Sequence, residues 1–262
     1  MAGADSKRAP FLFSYPHKTP VGLLLIHGLT ASPWEMVEVG KRAYEKGTTV
    51  YGVRLAGHGT TLEDLDQRVY QEWVRSAMEG IKLIRHFSDK IVVCGLSMGG
   101  LIALSLAEEQ KCDAVISLSA ILYLRAPLKL FISIFKTITR YQSRPLRPGL
   151  QDYYYPKHSF HALQEMMVLG RLVKENLSKI HQPILIMHSK MDSRVDPKSG
   201  FTIHEKVQSK RKELVTFEKE DHVPHVMTTR ENPLIEKVLE KIMEFLIRTS
   251  SEQPVNSRFS KD

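Results

Sequence analysis

The sequence predicts an α/β domain with a mostly parallel central sheet flanked by helices, and three observations carry that expectation. Short apolar runs alternate with helix-length periodic segments, the pattern of parallel strands joined by crossover helices. A charge-free stretch from Ile91 to Ala107 begins with β-branched residues and then meets Gly95, Gly99 and Gly100. It is close to the lower limit of ~17 residues for a membrane span, but a strand, a tight turn and a helix explain those glycines better. A third stretch, from Ile121 to about Ile180, interrupts the alternation and shifts in composition, as an insertion between two strands would.

Taken in order, the strands are expected at Val21–Ile26, Thr49–Val53, Lys90–Cys94, Ala114–Leu118, Ile184–His188 and Glu213–Phe217. Ser32-Pro33-Trp34-Glu35 has the form of a capping box with proline at the first helical position, so a helix should run from there to about Lys46. Tyr70–His86, Met98–Glu109, Ser199–Val207 and Pro233–Arg248 complete the helices. The expected organisation is a core from residues 1–120 and 181–249, an inserted cap at 121–180, and a polar tail at 250–262. No internal repeat is visible.

The chain has 262 residues, 42% hydrophobic and 25% charged, which is ordinary globular composition and excludes a collagenous, coiled-coil or wholly disordered chain. Its two cysteines, Cys94 and Cys112, cannot form a disulfide framework, and Cys94 lies inside an apolar run. Buried reduced thiols are expected, which favours a cytoplasmic protein. Met1–Pro10 has no apolar stretch of the kind a signal peptide needs. The net charge of +8 is uneven: residues 121–160 hold seven Lys or Arg against the single acid Asp152. No nucleic-acid motif accompanies this charge, so nucleic acid is not an expected partner.

Chemistry concentrates at Gly95-Leu96-Ser97-Met98-Gly99-Gly100, a G-x-S-x-G placed between a strand and a helix. In that context it reads as a nucleophile elbow, with the Ser97 hydroxyl raised above the sheet at a helix N-terminus. A serine nucleophile needs a base, and the base needs an orienting acid, each in a loop just beyond a later strand. After Ile184–His188 two acids compete. Asp196 precedes Pro197 at a helix start, where N-capping accounts for it, whereas Asp192 is nearer the strand end and has no structural employment. Asp192 is therefore the expected acid. After Glu213–Phe217 come His222 and His225; His222 is nearer the strand end and is the expected base, while His225 follows Pro224 and reads as a loop or helix histidine.

An oxyanion requires preorganised backbone N–H donors. Met98, the residue after the nucleophile, supplies one, and Leu29, in the loop after the first core strand, is the candidate for the other. His27 is expected to buttress that loop. His58, between Gly57 and Gly59, lacks partners at metal-ligand spacing and is expected to support its own loop.

His27-Gly28-Leu29-Thr30, Arg54-Leu55-Ala56-Gly57-His58-Gly59-Thr60, Gly95–Gly100, Asp192 and His222 together resemble an α/β-hydrolase of the bacterial carboxylesterase and monoacylglycerol lipase family. The resemblance spans roughly residues 20–247 and is weak in the cap. It implies the α/β-hydrolase fold and a serine esterase that needs no metal or organic cofactor. Two positions depart from the family's pattern: Leu29 stands where Phe is common, and Asp221 precedes His222 where a small residue or Tyr is usual. A small-molecule ester is the expected substrate, monoacylglycerol or a similar lipid or short-to-medium acyl ester, with Leu128, Leu130, Phe131, Ile132, Ile134 and Phe135 as an apolar wall for the acyl chain. The resemblance also implies a cap acid near the ester's polar head, and Asp152 is the candidate. Lys129, Lys136 and Arg140, interleaved with apolar residues, suit peripheral contact with anionic lipid. A thioesterase, an acyltransferase, a C–C bond hydrolase and a non-catalytic binding protein are the alternatives that the same scaffold allows.

Overall fold

A computed structural model describes residues 7–126 and 139–251. Its centre is a seven-stranded sheet of β1 (Phe11–Phe13), β2 (Thr19–Ile26), β3 (Thr49–Val53), β4 (Ser88–Leu96), β5 (Ala114–Leu118), β8 (Ile184–Ser189) and β9 (Lys212–Phe217). A separate hairpin, β6 (Tyr141–Ser143) and β7 (Lys157–Ser159), belongs to the inserted segment. The sheet order is β1-β3-β2-β4-β5-β8-β9, parallel throughout except for β1, which runs antiparallel on the edge beside β3. The six strands expected from the sequence are all present; the three-residue edge strand β1 is too short to announce itself.

Seven α-helices are described: α1 (Val37–Glu45), α2 (Leu62–Leu65), α3 (Tyr70–Arg85), α4 (Met98–Glu108), α5 (Phe160–Asn176), α6 (Lys198–Lys206) and α7 (Ile235–Ser251). One face of the sheet packs against α3 to α6 through residues such as Trp73, Leu101, Val173 and Ile203. The other packs against α1 and α7 through Val39, Val238, Ile242 and Phe245. With helices on both faces, β2, β4 and β5 are buried almost end to end, which is why they read as continuous apolar runs. Cys94 and Cys112 are buried free thiols, and burial pushes both pKa values up.

One local expectation is corrected. Pro33–Met36 form a 3₁₀ turn before α1, but Ser32 makes no side-chain cap, and Glu35 does not return to Ser32 as a capping box requires. Instead the Gly28 N–H donates to Glu35 Oε2 at 2.8 Å, so this buried carboxylate holds a loop, not a helix end. Within the inserted stretch, α5 joins β5 to β8 as the crossover that parallel neighbours need. Its buried residues Ala162, Met166, Leu169 and Val173 recur at helical spacing, with Gly170 among them.

Leu128, Lys129, Leu130, Phe131, Ile132, Ile134, Phe135 and Lys136 lie outside the described residues. The arginines around them are engaged within the chain. Arg125 donates to the carbonyls of Asp192 and Lys190, Arg140 pairs with the buried Asp66, Arg144 donates to Thr30, and Arg147 is 3.8 Å from Glu231. Among the described residues, no helix is long and apolar enough to cross a membrane.

Candidate active site

β4 ends in the turn that carries Ser97. The serine sits at φ +61°, in the left-handed region that costs a non-glycine residue energy, and its N–H donates to Leu118 O at 2.8 Å. The glycines around it are a steric requirement. A Cβ on Gly95 would lie 2.0 Å from the Gly99 carbonyl oxygen, and one on Gly99 would lie 2.2 Å from that of Ile26. Met98 opens α4, so its N–H lies at the positive end of the helix dipole.

The residue that meets Ser97 is His225. Its Nε2 is 2.9 Å from Ser97 Oγ, and its Nδ1 is 2.6 Å from Asp192 Oδ2. With a carboxylate at Nδ1, the proton of a neutral ring resides there, leaving Nε2 to accept from the Ser97 hydroxyl. Asp192 is fully buried, and its other oxygen accepts the N–H groups of Arg194 at 2.8 Å and Val195 at 3.0 Å. Burial alone would raise the Asp192 pKa; the charge and hydrogen bond of His225, with those two N–H groups, outweigh it and hold the carboxyl below its ordinary value. Asp196 stands apart: its Oδ1 accepts the Lys198 N–H at 2.9 Å at the start of α6, the capping role that the sequence implied.

The expectation for His222 is therefore corrected. After β9 the chain makes a 3₁₀ turn, Lys219–Asp221, in which Asp221 accepts the Glu218 N–H at 2.8 Å. His222 follows at φ +52° and faces outward, exposed, in an open depression with Lys190, Met191 and Lys219. The next residue, Val223, is fully buried, and its carbonyl accepts from Ser189 Oγ at 2.6 Å. That anchor turns the chain inward, and His225 is the histidine it delivers. Nearness to the strand end does not select the histidine that meets Ser97; the apolar Val223 between the two, which the fold buries, does.

Asp152 lies in the segment that precedes Tyr154 and Tyr155, next to the Thr30 loop. Its carboxylate is half-exposed and accepts from Lys7 Nζ at 2.7 Å, while its carbonyl accepts from Arg8.

The loop Gly28-Leu29-Thr30 crosses in front of Ser97, with Gly28 approaching Ser97 closely enough that an added Cβ would lie 3.5 Å from Ser97 Cβ. Two buried histidines support it. His27 pairs through Nδ1 with Gly28 O at 2.9 Å and accepts the Leu55 N–H at Nε2 at 3.3 Å. His58 pairs through Nδ1 with Ala56 O at 3.1 Å and accepts the Thr30 N–H at Nε2 at 3.3 Å. Both patterns need neutral rings. Burial lowers the pKa of His27 to about 4, and burial followed by the neighbouring His27 lowers that of His58 well below 6.5.

A third such histidine, His188, is buried with neither ring nitrogen bonded among the described residues, and burial lowers its pKa to about 4. These groups fix a sign for acid stability. Below pH 6.5 the unfolded chain binds protons that the folded chain does not, so stability is full above that pH and falls as pH drops toward about 4. Urea unfolding at pH 7.5, 5.5 and 4.5 is expected to show that decline. His188→Leu should shallow it by up to ~1.4 kcal/mol per pH unit, one proton's worth. An unchanged slope in that variant would mean that His188 titrates normally in the fold.

Residues 23–233 match the model of a family described as "Alpha/beta hydrolase family". The chain is 30% identical over 241 residues to the thermostable monoacylglycerol lipase of Bacillus sp. (strain H-257), covering 89% of this chain and 93% of that protein. It is 22% identical over 245 residues to a carboxylesterase of Bacillus subtilis (strain 168), covering 90% and 96%. Its fold is similar to a solved structure from a study of two metagenome-derived lipolytic enzymes, with TM-score 0.81, 24% identity, and 92% and 98% of the two chains covered.

Proposed function

Because the chain belongs to the alpha/beta hydrolase family, we propose that it hydrolyses carboxylic esters through an acyl-enzyme on Ser97. The observation that carries this reading is the continuous hydrogen-bonded chain from Ser97 Oγ through both nitrogens of His225 to the buried Asp192. His225 Nε2 takes the hydroxyl proton as Oγ attacks the ester carbonyl. The N–H groups of Leu29 and Met98 receive the oxyanion, and Leu29 N–H has no acceptor of its own among the described residues. His225 then passes the proton to the departing alcohol, and water, activated by the same nitrogen, cleaves the acyl-enzyme. Asp192 keeps the ring in the tautomer and orientation that both steps use.

Monoacylglycerol or a similar acyl ester is the substrate class this reading favours. The support is the family membership and the whole-length similarity to a monoacylglycerol lipase. A fluorophosphonate probe should label Ser97, and a panel of monoacylglycerols, nitrophenyl esters and acyl thioesters should show turnover of the oxygen esters. No labelling, or turnover confined to thioesters, would overturn the proposal.

The acid gives a graded check. Asp192→Asn is expected to lower kcat about 10⁴-fold, because an amide facing Nδ1 favours the wrong tautomer. Asp196→Asn should leave kcat within about twofold, since asparagine caps a helix as well. Comparable losses in both variants would contradict the assignment.

A further inference from the structure

Thr30 adjoins the N–H that the proposed mechanism uses, and it holds φ at +63°, where β-branched residues rarely settle. All of its polar atoms are engaged. Its N–H donates to His58 Nε2 at 3.3 Å, its carbonyl accepts the Tyr155 N–H at 2.9 Å, and its Oγ1 accepts from Arg144 Nη1 at 2.8 Å. Two of the three partners come from the inserted segment. On the other side of Leu29, the Gly28 N–H donates to the buried Glu35 at 2.8 Å, and burial followed by the charge of that carboxylate raises the pKa of Tyr154, again from the insertion. The Arg144 guanidinium lies over the Tyr154 ring, 4.6 Å from its centroid.

We infer that Arg144 is a positioning residue for the oxyanion hole: by holding Thr30 Oγ1 from the insertion, it fixes the backbone that presents the Leu29 N–H to the reacting carbonyl. With Gly28 pinned on one side and Thr30 on the other, the peptide between them has one orientation. Donors that are preorganised need no rearrangement when charge develops. The positive charge has a second use. Glu35 places a carboxylate beside the loop where an oxyanion forms, and the nearby Arg144 counters it. An ordinary cap residue would need neither the strained threonine nor the charge. The inference rests on the ester-hydrolase reading given above.

The test uses a soluble nitrophenyl ester and a boronic acid that forms a tetrahedral adduct on the serine. Arg144→Met and Thr30→Val are each expected to lower kcat about ten- to hundredfold, with KM little changed, as a misplaced donor does. Boronate affinity should fall by the same factor as kcat. The double variant should be no worse than the weaker single, because both remove one contact. Thr30→Ser, which keeps the hydroxyl, should recover most of the rate. Arg147→Gln removes an exposed arginine of the insertion with no contact to the loop, and should behave as the wild type.

Losses that multiply in the double variant, losses confined to KM, or equal rates for Thr30→Val and Thr30→Ser would overturn the inference. The last comparison holds even if Arg144→Met fails to fold. Failure of the fluorophosphonate to label wild-type Ser97 is a separate result, and would remove the ester-hydrolase reading itself.

Discussion

Ser97→Ala is expected to lower kcat by about a millionfold while leaving the fold intact. The size follows from the proposed role: among the described residues no other hydroxyl is bonded to His225 Nε2, so the whole proposed two-step route is lost, not one of its supports. What remains should be the residual acceleration from substrate binding and the oxyanion donors, on the order of 10³–10⁴ over water. The fold should survive because alanine removes only Oγ. The Ser97 N–H keeps its bond to Leu118 O, and the backbone at φ +61° is set by the close approach of Gly95 to Gly99, which the substitution does not touch. Thermal unfolding should therefore be nearly unchanged, and fluorophosphonate labelling should vanish. Retained activity in a pure, normally melting preparation would place the nucleophile elsewhere.

The parts of this molecule that were legible in the sequence are those whose cause is local. The six long strands and the helices α3, α4, α6 and α7 follow from apolar periodicity, and the serine turn follows from glycines that no other residue could replace. Asp192 was separable from Asp196 because helix capping explains one of them and nothing local explains the other. What escaped has a non-local cause. Glu35 was read as part of a helix cap because its spacing from Ser32 fits one; that it reaches back seven residues to Gly28 depends on how the 3₁₀ turn folds under the loop. The ion pair of Asp152 with Lys7, 145 residues away in the chain, has no sequence signal either. The strained Thr30 carries no sequence signal, and its three partners, His58, Arg144 and Tyr155, all lie far from it in the chain. The acyl-wall expectation and, apart from Arg140, the anionic-lipid expectation rest on residues outside those described.

His225→Gln is expected to match Ser97→Ala, lowering kcat by about a millionfold, whereas His222→Gln should leave it within about twofold. The contrast is large because only one of the two rings has both nitrogens engaged. His225 is buried between Ser97 and Asp192 at 2.9 and 2.6 Å, and it alone can take the hydroxyl proton and return it to the leaving group. A glutamine there could hold part of the geometry but accepts no proton at neutral pH, so the serine would have to attack as a neutral hydroxyl. His222 has no comparable partner. Its backbone caps the Lys219–Asp221 turn, which any residue able to hold φ +52° can do, and its ring is exposed. Its loss should appear, if at all, as a small drop in melting temperature. A millionfold loss in His222→Gln with His225→Gln active would mean that the loop after β9 rearranges to bring the outer histidine to Ser97. That rearrangement would require extracting the buried Val223 from its place against Ser189, at roughly 1.5–3 kcal/mol for its side chain alone.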